Sequence, residues 1–308
     1  MSSSAVAADD DIILDPIVLE ELTDQVREEL LGNVKKTSVS AESVDLGGGL
    51  IVSKTAYNGI KALGNKAKVV VELDDPSFFN SGAEDLSKFK EKAVQAHSEA
   101  LQEVKSAAPG FVKQYDLYAT VNGFTGFVTL GELRNLLSLA GKGSVAGVYI
   151  SETYRINGIE DPAEDPASYI YYEDMKEIGV SPDMVNSAPL VGAPQAWDLG
   201  YTGSGTYVAI IDTGIDYTHE NFGGYSSFPN EKIPYGYDFA DRDNDPMDVH
   251  GHGTHVAGTV AGIGALQFQD KDGNWVSLKG IAPDAKLIVA KVFGDDSPYA
   301  YTSDIVAA

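Results

Sequence analysis

Cysteine is absent from the 308 residues, which removes disulfides, thiolate metal ligands and thiol catalysis and leaves the redox state of the compartment unread. No stretch approaches the ~18–20 consecutive apolar residues of a membrane helix, so no membrane span is expected. Basic residues are scarce: 22 Lys and Arg stand against 46 Asp and Glu, a formal net charge of −24. A surface that negative repels phosphate backbones and anionic headgroups, so no nucleic acid partner is expected. Residues 1–11 lack the basic and apolar regions of a signal peptide. Ala5-Val6-Ala7 before an acidic run resembles a cleavage site, and reads either as the stump of a secretion signal or as a small-residue disordered end.

What is present is the balance of an ordinary globular protein, 43% hydrophobic and 22% charged with Gly and Pro spread along the chain, which excludes collagen-like and low-complexity classes. The length suits two domains of ~100–200 residues each. Ile17, Val18, Leu22, Val26 and Leu30 recur at near-helical spacing, predicting an amphipathic helix within a leader over 1–66 that is otherwise broken at Gly47-Gly48-Gly49. From Lys68 the pattern sharpens. A β-branched run at 69–73 is followed by a helical face of Leu86, Phe89, Ala93, Ala100, Leu101 and Val104. Strand-like runs at 115–120 and 123–129 meet at Val121-Asn122-Gly123, where Asn-Gly predicts a hairpin turn. A helix over 130–139 and a strand over 145–151 complete a β-α-β-β-α-β order, which predicts an α+β ferredoxin-like domain over 67–155. His97 falls on the apolar helix face and reads as a hydrogen-bonded packing residue.

Residues 156–187, rich in Asp, Glu, Pro and Tyr, read as an exposed connector, a natural place for cleavage. A second domain over 188–308 opens with the continuously apolar strand 207–211, which predicts burial on both faces at the centre of a parallel sheet. The run 287–293 repeats it, with a Gly/Ala-rich helical segment between, so this domain is α/β. Asp212 directly follows the first strand, at the carboxyl end where open parallel sheets collect reactive groups. Its bland reading is a turn cap for Thr213 and Gly214. Gly251-His252-Gly253-Thr254-His255 places an imidazole at a helix start, where a carboxylate partner would make it a general base.

Val208-Ala-Ile-Ile-Asp-Thr-Gly-Ile-Asp216 and His252-Gly-Thr-His-Val-Ala-Gly-Thr259 resemble the aspartate and histidine motifs of the subtilisin-like serine proteases, in that family's order. Gly200-Tyr-Thr-Gly203 and the segment from Gly280 through Pro283 to Val292 are similar to the family as well, so the resemblance spans about residues 187–308. The 68–155 module is similar to the family's propeptide, with Tyr115 and Asn122-Gly-Phe124 at its centre, and short phrases such as Asp216-Tyr-Thr-His219 are similar to its large secreted branch. The resemblance implies a truncated α/β parallel-sheet catalytic domain behind a ferredoxin-like propeptide. It implies a serine endopeptidase precursor, secreted, acting on proteins or peptides, with an intramolecular contact between propeptide and catalytic domain. Asp212 would orient the base, His252 would be the base, and His255 would be a structural histidine. The nucleophilic serine, in a Gly-Thr-Ser context, would lie beyond Ala308, so these residues alone are expected to be inactive.

His250, His252 and His255 form H-x-H-x-x-H, a zinc-hydrolase pattern, but Thr254 stands where a carboxylate is wanted. A propeptide-like inhibitor or chaperone with a catalytically dead remainder is the non-enzyme alternative. Asp241, Asp243 and Asp245 alternate like a calcium loop, yet Pro246 and His252 occupy the positions an EF-hand gives to Gly and Glu, so a solvated acidic loop is expected. The family's usual calcium aspartate is matched by Asn221; no cofactor is required for the chemistry, and structural calcium is left unlocated in the full-length protein. Gly203-Ser-Gly205 precedes its strand, where a dinucleotide loop would follow it.

Overall fold

The computed structural model describes residues 43–47, 49–155, 184–269 and 273–308. The expected leader helix and residues 156–183 of the expected connector lie outside these. The chain divides into two compact units, residues 1–151 and 152–308.

In the first unit, β1 (Ser43–Asp45) pairs antiparallel with β2 (Ile51–Ser53), and Ser53 caps α1 (Lys54–Ala62) by accepting the Ala56 N–H at 3.1 Å. The sequence pattern assigns these residues to a leader, yet Ile60 is part of the core of the module that follows. Two three-residue strands and a nine-residue helix are too short to carry a legible period. Then come β3 (Lys66–Leu73), α2 (Leu86–Ala107), β4 (Val112–Leu117), β5 (Gly123–Thr129), α3 (Leu130–Leu137) and β6 (Val145–Ile150). The four strands form one antiparallel sheet in the order β4-β5-β3-β6. Alternation along β3 sends Val69, Val71 and Leu73 into a core shared with Val104 of α2 and Leu133 and Leu136 of α3.

The hairpin expected at Asn122-Gly123 is present: β4 pairs antiparallel with β5 through residues 118–122, a longer connection than a two-residue turn, and Gly123 is the first residue of β5, where a Cβ would stand 2.0 Å from the Val71 carbonyl oxygen. Asn122 is buried because its side chain is wired to two other elements: Oδ1 lies 2.9 Å from His97 Nε2, and Nδ2 donates to the Asp75 carbonyl. His97 is the packing histidine expected, 4% exposed, stacked on Tyr118 and bonded through Nδ1 to Asp116 at 2.9 Å. Burial would raise the Asp116 carboxyl, but hydrogen bonds from His97 and Lys113 outweigh it and hold it below its ordinary value.

In the second unit, β7 (Thr153–Arg155) is followed in the described chain by α4 (Met184–Leu190), α5 (Ala193–Asp198) and β8 (Tyr207–Asp212). A single 3-10 turn, Glu220–Phe222, leads to β9 (Tyr235–Asp238), and α6 (His252–Ala261) follows. A hairpin of β10 (Ile263–Gln269) and β11 (Trp275–Lys279) precedes β12 (Lys286–Lys291), β13 (Tyr299–Tyr301) and α7 (Thr302–Ala307). β8, β12 and β9 form a parallel sheet in that order, and β13 pairs antiparallel with β7.

The α/β expectation holds, but β12, not β8, is the central strand. Leu287 and Val289 of β12 are fully buried, whereas Tyr207 and Ile211 of β8 are about half exposed. Among the described residues no strand pairs with the outer edge of β8, so its apolar run is covered only in part. The register brings Asp212, Lys291 and Asp238 side by side at the carboxyl ends of the three strands.

Candidate active site

The last residue of β8 is Asp212, and Gly214 two residues on has a left-handed φ of 111°. A Cβ at Gly214 would lie 2.5 Å from the Pro246 carbonyl oxygen. On the other side of the site, Gly251 adopts φ 88° as the residue before α6, a conformation that glycine takes without steric cost. His252 is thereby the first residue of the helix. Gly253 then packs directly on Gly214: a Cβ there would stand 2.2 Å from the Gly214 carbonyl oxygen, and its N–H donates to Thr213 Oγ1 at 2.8 Å. Two glycines and one threonine hydroxyl thus clamp the strand end to the helix start.

The result is a 2.7 Å contact between His252 Nδ1 and Asp212 Oδ1. The same carboxylate oxygen accepts the Thr213 N–H at 2.7 Å, which fixes its orientation. The Asp212 side chain is 13% exposed and that of His252 39%, so the carboxylate is sheltered while the ring keeps an open edge. A carboxylate only accepts, so Nδ1 carries the hydrogen and the neutral ring keeps its lone pair on Nε2. An imidazole in that tautomer can take a proton at Nε2, and the carboxylate can stabilise the cation that forms.

The other two histidines stand apart from this pair. His250 Nε2 faces the Gly294 carbonyl oxygen at 3.0 Å, while His255 is exposed one turn along α6. The zinc pattern fails on geometry as well. Among the described residues the group of three with ligand atoms within 4.8 Å of one another is Asp238, Asp241 and Asp295, not the histidines. Asp241, Asp243 and Asp245 are exposed; Asp243 and Asp245 serve local turns and Tyr217, while Asp241 accepts the Asp295 N–H from a distant segment.

The roles of three further side chains, Lys291, Asn221 and Asp248, are not legible as contacts in the sequence. Lys291 sits in an apolar run, and a lysine at a strand end normally reads as solvent-facing; here it is 1% exposed, donating to Asp295 at 2.9 Å and to the Phe293 carbonyl at 2.7 Å, with Asp238 at 3.7 Å. Asn221 binds the β10–β11 hairpin, accepting N–H from Gly264 and Ala265 and donating to the Leu278 carbonyl. Asp248, four residues before His252, accepts hydrogen bonds from three residues around it. An aspartate just ahead of a helix start is a capping signal, and it was available in the sequence.

Residues 203–308 match the subtilase family. The minor extracellular protease Vpr of Bacillus subtilis (strain 168) is 34% identical over 276 residues, covering 84% of this chain and 28% of that protein. Thermitase of Thermoactinomyces vulgaris is 34% identical over 113 residues, covering 37% of this chain and 35% of thermitase. The chain thus spans about a third or less of the length of these relatives. The crystal structure of fervidolysin from Fervidobacterium pennivorans overlaps with 20% identity and a TM-score of 0.40, covering 79% of this chain and 33% of that one, a likeness too slight to carry an argument. With the aspartate and histidine motifs meeting at 2.7 Å and the sequence matches falling on the same segment, residues 203–308 are a segment of the subtilase family.

Proposed function

We propose that this chain is the N-terminal part of a secreted subtilisin-like serine endopeptidase precursor, with the nucleophilic serine supplied from beyond residue 308. The observation that carries the reading is the Nδ1–Oδ1 contact between His252 and Asp212. The serine hydroxyl attacks the peptide carbonyl; His252 Nε2 takes its proton and then hands it to the leaving amine, while Asp212 holds the imidazolium. Proteins or peptides are the substrates.

The module over 67–155 is read as the ferredoxin-like propeptide. Its β-α-β-β-α-β order supports this, as does a Vpr match longer than the 203–308 segment. The name of Vpr supports secretion. The test is hydrolysis of casein by the full-length protein, blocked by a serine-directed phosphonofluoridate. Absence of inhibitable activity in a folded full-length product would overturn the reading in favour of the inhibitor alternative.

The family's calcium aspartate position does not fit the metal in this chain. Asn221 Oδ1 already faces the N–H groups of Gly264 and Ala265 at 2.9 and 3.1 Å, donors that repel a cation, and its Nδ2 holds Leu278. The amide does by hydrogen bonding what an ion would do by coordination. Asn221→Ala is therefore expected to lower the thermal midpoint of the 308-residue chain equally in excess calcium and in EDTA, and a calcium-dependent rise abolished by Asn221→Ala would contradict this.

A further inference from the structure

His252 has no side-chain cap of its own at the start of α6, and Gly251 before it offers none. A loop ending in glycine would leave the ring's backbone free to wander, yet the 2.7 Å contact to Asp212 requires it to stay. The residue that holds it is Asp248. Its Oδ1 accepts the N–H of His250 and the N–H of Gly251, both at 2.9 Å. Its Oδ2 accepts the N–H of Thr254 at 2.9 Å and the Thr254 hydroxyl at 2.6 Å. All four donors belong to the residues flanking His252, two before it and two after it. A carboxylate has about four lone-pair sites, and here all of them are used.

The grip reaches the aspartate side as well. Thr254 Oγ1, having given its hydrogen to Asp248, accepts the Asp216 N–H at 2.9 Å, and the Ile215 N–H donates to the Pro246 carbonyl at 2.9 Å. Asp248 and its neighbours therefore tie the loop after Asp212 to the helix that carries His252. Burial would raise the Asp248 carboxyl, but the hydrogen bonds from Thr254, Gly251 and His250 hold it below its ordinary value, so it is an acceptor at neutral pH. A negative charge at the start of α6 also suits the positive end of the helix dipole.

We propose that Asp248 is the positioning residue of the candidate base, fixing the backbone of 250–254 so that His252 Nδ1–H meets Asp212. That this matters for acyl transfer rests on the proposed function above; the positioning itself does not. Asp248→Asn keeps the shape but turns one oxygen into an NH2 group, which faces donors on every side. In the 308-residue chain labelled with 15N-histidine, the wild type is expected to show a protected, strongly deshielded Nδ1–H resonance for His252, absent in His252→Ala. In Asp248→Asn this resonance is expected to be lost or moved far upfield while the far-ultraviolet circular dichroism is retained. In the full-length enzyme the same variant is expected to lose ~10²-fold in kcat with KM little changed, as a displaced catalytic group does. An unaltered His252 resonance in folded Asp248→Asn overturns the proposal. If Asp248→Asn does not fold, Thr254→Val, which removes a single hydroxyl from the grip, decides: an unaltered resonance overturns the proposal and a weakened or shifted one supports it. A full-length wild type without peptidase activity would count against the proposed function and leave the resonance test of Asp248 standing.

Discussion

Replacing His252 with alanine in the full-length protein is expected to abolish maturation of the precursor and to lower kcat on a peptide substrate by ~10⁶-fold, the scale on which a triad fails when its base is removed. The cause is specific to the site. His252 is the histidine whose Nδ1 is locked by a carboxylate and whose other edge is open; His250 is turned to the Gly294 carbonyl, and exposed His255 lies a turn away, so neither takes over. Asp212→Asn is the companion variant. It keeps an oxygen for the Thr213 N–H but removes the charge that stabilises the imidazolium, and a loss of ~10⁴-fold in kcat is expected. KM changes little in both, because neither side chain binds the ground state. Gel analysis of precursor conversion and steady-state kinetics measure these effects, and normal maturation of His252→Ala would sink the assignment.

The second large effect concerns stability. Lys291 is the buried cation that faces Asp238, itself 2% exposed, and its ammonium also holds Asp295 and the Phe293 carbonyl at the carboxyl end of the central strand. Lys291→Met preserves the apolar stem but strands a carboxylate in the interior, and breaking a buried pair in this way costs about 3–5 kcal/mol. The cost depends on pH in a definite direction. Burial pushes the Asp238 carboxyl up, with the Asp241 N–H and the Lys291 ammonium pulling against it. A carboxyl raised in the folded state favours folding most fully below its ordinary value of 3.8 and gives up that contribution as pH rises through the raised value. Removing Lys291 extends that interval upward. The variant's deficit is thus smallest in mild acid and largest near neutrality, which urea unfolding at the two pH values reads directly; equal deficits at both would show that the stranded charge is not the cause.

Much of this was legible in the chain. Continuous apolar runs at 207–211 and 287–293 announced a parallel sheet, and helical periodicity marked α2 and α3, because period and apolarity are local properties. The two glycine-flanked motifs marked Asp212 and His252 for the same reason: a left-handed Gly251 and a glycine at 253 are visible as residue types before any contact is known. The hairpin at Asn122-Gly123 was legible because turn propensity is local, whereas the burial of Asn122 depends on His97, 25 residues away in sequence. β8 looked central because its residues are apolar, but which strand is flanked on both sides is a matter of order in the sheet.

The sequence by itself therefore determined the longer elements, the two candidate site residues and the family they resemble. Only the tertiary structure decided that Nδ1 of His252 meets Asp212, that Gly253 rests on Gly214, that Lys291 is a buried counter-ion and that Asp248 grips the start of α6. The division has a physical reason. Propensity and periodicity act over a few neighbouring residues, but a hydrogen bond or ion pair between distant segments exists only after burial has brought them within ~3 Å and excluded the water that would otherwise satisfy each group alone.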